Sequence, residues 1–105
     1  MTQYVTVANV GDVPDGKGKH VMCQGQSIAL FFVDGQYYAL DDYCPHMGES
    51  LWCGEVCEGE VICDRHRWAF NLQSGVCVDA PTLKAGTFPV RVQGHEIQIG
   101  LPAEE

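Results

Sequence analysis

Basic residues are scarce in this chain. Six lysines and arginines stand against fourteen aspartates and glutamates, a formal charge of -8 over 105 residues. That balance excludes a nucleic-acid binder, because neutralising phosphates needs a basic face. Long apolar runs are also missing: none approaches the roughly twenty residues of a membrane-spanning helix. Met1-Thr2-Gln3-Tyr4 has neither the basic nor the apolar region of a secretory leader, so the expectation is a soluble, cytoplasmic protein without membrane contact. No stretch keeps helical periodicity over even ten residues, and there is no internal repeat or low-complexity segment. Asp12-Val13-Pro14-Asp15-Gly16-Lys17-Gly18 is glycine-rich, but its spacing fits no nucleotide fingerprint and it reads as a loop. No nucleophile stands beside a base and no carboxylates pair at a catalytic separation, so the chain does not read as a complete enzyme.

Length allows one domain, 1–105, with a core of its own but no second catalytic module. The strand signals are dense. Tyr4–Val7 is a β-branched and aromatic run. Lys19–Cys23 and Ser27–Val33 flank Gln24-Gly25-Gln26 as a hairpin, and Ile28–Val33 is apolar on both faces, as in a central strand covered on both sides. Asp34-Gly35 is the strongest two-residue hairpin signal, returning the chain through Gln36–Leu40. Glu55–Cys63 folds about Glu58-Gly59, and Trp68–Phe70 pairs with Val76–Val78 about Gln73-Ser74-Gly75. Asp79–Gly86 is a connecting loop, Phe88–Val92 pairs with Glu96–Leu101 across Gln93-Gly94-His95, and the last four residues fray. Ile97, Ile99 and Leu101 fall on one face at period two. The fold class is therefore all-β, built from stacked antiparallel sheets with a smaller part inserted after the fourth strand.

Chemistry concentrates between Cys44 and Phe70. Cys44-Pro45-His46 and Cys63-Asp64-Arg65-His66 are a Cys-x-His and a Cys-x-x-His pair, separated by the sixteen residues 47–62. Two loops that each present one thiolate and one imidazole can clamp a metal centre between them. A single tetrahedral zinc could accept all four ligands, as could a two-iron cluster with both cysteines on one iron and both histidines on the other. His20 and His95 lie outside this pattern, at opposite ends of the chain.

The wider pattern decides between them. Gly48 two residues after His46, Leu51 with Cys53-Gly54 beyond it, and aromatic Phe70 four residues after His66 resemble the Rieske [2Fe-2S] domain, a likeness that extends over most of the chain. The resemblance implies an antiparallel Rieske-type sandwich with a small cluster-binding subdomain at about 42–72. It also implies one [2Fe-2S] cluster per chain, held by Cys44, His46, Cys63 and His66. It implies a one-electron carrier, a Rieske-type ferredoxin working between a flavin-dependent reductase and a terminal oxygenase. Arg67-Trp68 after His66, with Gly75-Val76-Cys77 and Phe88–Val92, is also somewhat similar to the small subunit of NAD(P)H-dependent nitrite reductase, whose partner would be the reductase large subunit. A structural zinc module is the third reading.

High-potential members carry a further disulfide-forming cysteine in each ligand loop and two hydroxyl donors to the cluster sulfurs. Here those positions hold Glu49, Arg65, Trp68 and Phe70, which implies a low potential in the family window of about -150 to +300 mV. Of the other cysteines, Cys23 and Cys77 sit among apolar neighbours and read as core. Cys53 and Cys57 are either bystanders, a redox pair or alternative ligands. Met47 and Trp52 read as a shield or contact patch beside the loops, or for Trp52 as core packing, and Trp68 and Phe70 as core or cluster cover. The acidity of the surface fits a partner with a basic docking patch, or serves solubility alone.

Overall fold

The computed structural model describes residues 2–23, 25–42, 51–52, 54–62 and 68–102. Within them ten strands succeed one another: β1 (Thr2–Asn9), β2 (Lys17–Cys23), β3 (Gln26–Val33), β4 (Gln36–Asp41), β5 (Glu55–Cys57), β6 (Glu60–Ile62), β7 (Ala69–Asn71), β8 (Thr87–Phe88), β9 (Val90–Gln93) and β10 (Glu96–Pro102). They form three antiparallel sheets, ordered β1-β10-β9, β2-β3-β4-β8 and β5-β6-β7. Among the described residues there is no helix, and hence none long and apolar enough to cross a membrane.

The four-stranded sheet is a wall shared by two cores, and β3 shows why. Its side chains alternate faces, so Ile28 and Leu30 pack with Val21, Cys23, Ala39, Ile97 and Ile99 on one side. Ala29 and Phe31 pack with Leu40, Leu51, Val61, Phe70, Leu72 and Cys77 on the other. All four of these β3 residues are fully buried, which is what an apolar run without alternation predicts. Ile97, Ile99 and Leu101 share one buried face, as their spacing indicates.

Two tight hairpins set the register. Asp34 and Gly35 both have positive φ, 52° and 79°, and Glu58 and Gly59 repeat the arrangement at 52° and 77°. Two consecutive left-handed residues twist in the sense the flanking strands require. The pairings Val33↔Gln36 and Cys57↔Glu60 follow directly.

The structure corrects three boundaries. β2 begins at Lys17, inside the glycine-rich stretch read as loop, because Lys17 and Gly18 complete the ladder opposite Phe32 and Phe31. Val76–Val78 is not a full strand: single bridges join Phe70 to Cys77 and Val76 to Lys84, and the Asn71 side chain takes over the turn by accepting from the N–H groups of Gln73 and Ser74, both at 2.9 Å. Phe88–Val92 is divided. Phe88 pairs with Ala39 of β4 and Val90 with Ile99 of β10, and the break falls at Pro89, which has no N–H to offer either ladder.

Candidate metal centre

Cys44 and His46, with Met47 and Glu49, lie in 43–50, and Cys63, Arg65 and His66 lie in 63–67, outside the described residues, as does Cys53. The roots of both loops are described, and they are brought together. The second loop leaves β6 at Ile62 and is rejoined at β7 by Ala69, and these two residues are ladder partners. Its ends are thus closed by backbone pairing. Asp79 Oδ2 adds to this by accepting from the Ala69 N–H at 2.9 Å, so the connection after β7 braces the same root.

The first loop leaves the end of β4 and returns at Leu51. Asp42 closes it: Oδ1 accepts from the N–H of Leu51 at 2.8 Å and of Trp52 at 2.9 Å. The Asp42 side chain is only 2% exposed. Behind it, Oδ2 accepts from the Ser27 hydroxyl at 3.4 Å, and Ser27 Oγ lies 2.6 Å from His20 Nε2. A His, a Ser and an Asp in contact invite comparison with a nucleophilic triad, but the geometry is wrong for one. The same ring nitrogen of His20 faces both Ser27 and, at 3.9 Å, Asp42 Oδ2, so the acid does not orient the ring from its far side.

Gly54 locates one root against the other. A Cβ there would run into the carbonyl oxygen of Ile62 and stand 2.9 Å from Val61 Cγ2 and 3.2 Å from the carbonyl oxygen of Leu51. The residue just after the first loop and the residue just before the second therefore meet around one glycine, and no larger side chain fits between them. Below this junction Leu51, Val61 and Phe70 are fully buried, with half-buried Trp68 packed against them. Trp68 and Phe70 thus belong to the apolar core beneath the described roots of the loops. Trp52 is 38% exposed and sits beside Asp42, a surface position rather than a core one.

Two loops rooted on one apolar floor fit the donor set that the sequence places on them, one thiolate and one imidazole from each. Among the described residues no group of three or more potential ligands stands ready for a metal ion. Cys23 and Cys77 are buried free thiols, and burial pushes the Cys23 thiol above its ordinary pKa. Cys57 is free and exposed, and Cys53, its partner in the redox-pair reading, lies outside the described residues. His20 is tied to Ser27, and His95 lies in the β9–β10 turn, where its carbonyl accepts from Val10 N–H at 2.8 Å.

Asp42 and Ser27 were not legible as site residues, and Gly54 stood in the sequence pattern without its role at the loop roots. An Asp two positions before a candidate ligand cysteine, at the end of a strand, was the available signal, since Asp is a ready acceptor where a ladder stops.

Comparison with known proteins bears on the whole chain. The Rieske [2Fe-2S] domain profile matches residues 3–97. The ferredoxin component of the alkene monooxygenase system of Xanthobacter autotrophicus is 32% identical, over 97% of this chain and 87% of that protein. Among solved structures, an NADH-dependent nitrite reductase small subunit from Mycobacterium tuberculosis superposes with a TM-score of 0.93 at 26% identity, covering 99% of each chain. A chain in the complex of reduced oxygenase and oxidised ferredoxin of carbazole 1,9a-dioxygenase superposes at 0.84 with 28% identity, covering 91% of each.

Proposed function

The chain belongs to the Rieske [2Fe-2S] domain family, and from that premise we propose that it is a low-potential one-electron carrier, a Rieske-type ferredoxin that passes electrons from a flavin-dependent reductase to a terminal oxygenase. When bound, a [2Fe-2S] cluster supplies a site that accepts and returns a single electron. Cys44, His46, Cys63 and His66 hold it in this reading, and the observation that supports the assignment is that Leu51 and Ile62, the described roots of the two loops, meet at Gly54. The cluster-binding subdomain spans about 42–72 within a single domain, and the protein works in the cytoplasm.

The residues have distinct tasks. The thiolates of Cys44 and Cys63 bring two negative charges, which offset the net positive charge of two ferric ions and two sulfides. The neutral imidazoles of His46 and His66 would add none, so these four side chains would leave the oxidised group uncharged, a setting that opposes an added electron less than four thiolates would. Trp68 and the buried Phe70 exclude water from below and lack the hydroxyls that would draw the potential upward. The midpoint potential is therefore expected near the bottom of the family window, and a titration giving more than about +100 mV refutes that placement.

A second reading, the Rieske small subunit of a nitrite reductase-like complex, is supported by the close superposition on the M. tuberculosis subunit. Isolated protein reduced with dithionite should give the rhombic paramagnetic resonance spectrum of a Rieske centre under either reading; a colourless zinc protein rejects both. The carrier reading requires that added protein stimulate turnover by a reductase and an oxygenase supplied separately. Stoichiometric co-purification with a large flavin or haem chain, without such stimulation, selects the subunit.

A further inference from the structure

The two ligand loops are closed by different means. Ladder pairing of Ile62 with Ala69 shuts the second, whereas between Asp42 and Leu51 the described closure of the first is a side chain bridging to backbone. We propose that Asp42 is a positioning residue for the metal centre: its carboxylate substitutes for a strand ladder, and by pinning the Leu51 and Trp52 N–H groups it fixes where Cys44 and His46 stand. This rests on the assignment of those two residues as ligands.

Three observations carry it. Asp42 is the buried charged residue of the described structure, and a carboxylate removed from water is tolerated only where hydrogen bonds replace its hydration. Here a single oxygen takes both N–H groups at charge-assisted distances, while the other faces Ser27 and His20. The Asp42 backbone is itself fixed, because its N–H donates to the Ser27 carbonyl at 3.1 Å. The carboxylate therefore joins the shared wall, through β3, to the far end of the loop, and the first ligand cysteine lies two residues along the chain from it. An oxygen held rigidly at one end and gripping the other sets the loop's span. Groups that orient metal ligands from behind act on the metal site without touching the metal.

The test compares full-length Asp42→Ala, Asp42→Asn and Asp42→Glu proteins with wild type and with Asp41→Asn, whose half-buried neighbouring carboxylate instead accepts from the Gln26 side chain at 3.0 Å. The readouts are the g values of the dithionite-reduced protein and the rate at which an iron chelator bleaches the visible spectrum. Asp42→Ala is expected to shift the g values and bleach about tenfold faster or more. Asp42→Asn keeps an oxygen for both N–H groups and should retain native g values. Asp42→Glu keeps the charge but displaces it by one methylene, and should shift the g values with the fold intact by circular dichroism. It decides the matter if Asp42→Ala fails to fold. Asp41→Asn should match wild type. Native g values and native bleaching in Asp42→Glu, or in a folded Asp42→Ala, overturn the proposal. His66→Ser separates the two readings: native Asp42 variants with signal loss in His66→Ser remove this inference alone, whereas a wild type without a Rieske signal removes the ligand assignment as well.

Discussion

The sandwich of β1–β4 with β8–β10 and the small sheet β5-β6-β7 are held together differently. In the sandwich, strands of up to eight residues pair along their length and apolar contact dominates on the Ile28 and Leu30 face of β3, while the Ala29 and Phe31 face is covered by the small sheet and the segments beside it. Each strand of the small sheet has three residues, of which only Val61 and Phe70 are fully buried. Three such strands are close to the lower limit for a sheet in water. Specific contacts support it: Asp79 bonds Ala69, Gly54 lets the loop roots touch, and Val61 and Phe70 pack on the Ala29 and Phe31 face of the shared wall. The sandwich carries a core of its own beyond the wall, whereas the small sheet leans on that wall and, in the proposed reading, on the metal centre as well.

Removing the ligand should break the contrast open. His66→Ser is expected to abolish the native paramagnetic spectrum entirely, while His20→Ser and His95→Ser leave it in place. Stripping iron from wild type with a chelator is expected to raise amide exchange in β5–β7 by at least about tenfold, with β3 protected as before, since local opening draws on the weakest packing first. Equal exposure of both regions would show one cooperative unit instead of two.

Finer probes sharpen the comparison. Phe70→Ala removes a buried aromatic from the floor of the small sheet and should lower stability by about 3–5 kcal/mol in chemical denaturation, with the loss greater in the apo protein if the sheet depends on the metal. Gly54→Ala should lower it by about 1–3 kcal/mol through overpacking at the loop junction, and speed cluster loss. The smallest effect belongs to the sandwich. Burial raises the Cys23 thiol pKa, so the folded state favours the protonated form. Its contribution is complete below the unfolded-state pKa and lost as pH rises through the folded value. Thermal stability should therefore decline slightly in strong alkali, and a Cys23→Ala protein should lack that component of the decline.

Legibility in the sequence divides along the same line. Local chemistry announced the hairpins: Asp34-Gly35 and Glu58-Gly59 each carry their conformation in two adjacent residues. Ile97, Ile99 and Leu101 announced a face by spacing alone. The candidate ligand pairs stand out through residue type and separation. What could not be read were the contacts between residues far apart in sequence. Asp42 is explained by partners nine and ten positions ahead and by Ser27 fifteen behind. Gly54 belonged to the sequence pattern beside Cys53, but its packing role needed Ile62 and Leu51 to be placed around it. The hand-over at Pro89 needed two partner strands to be known before one extended run became two.

That hand-over has a consequence for a protein whose work is done across a gap. Pro89 joins a residue of the shared wall to a residue of the neighbouring sheet, and its carbonyl accepts from Gly100 N–H at 2.8 Å. Sliding either sheet by one residue would put the imino nitrogen where a hydrogen is required. The two layers are riveted at that point, so the wall whose strand β4 leads into residues 43–50 keeps its place against the neighbouring sheet.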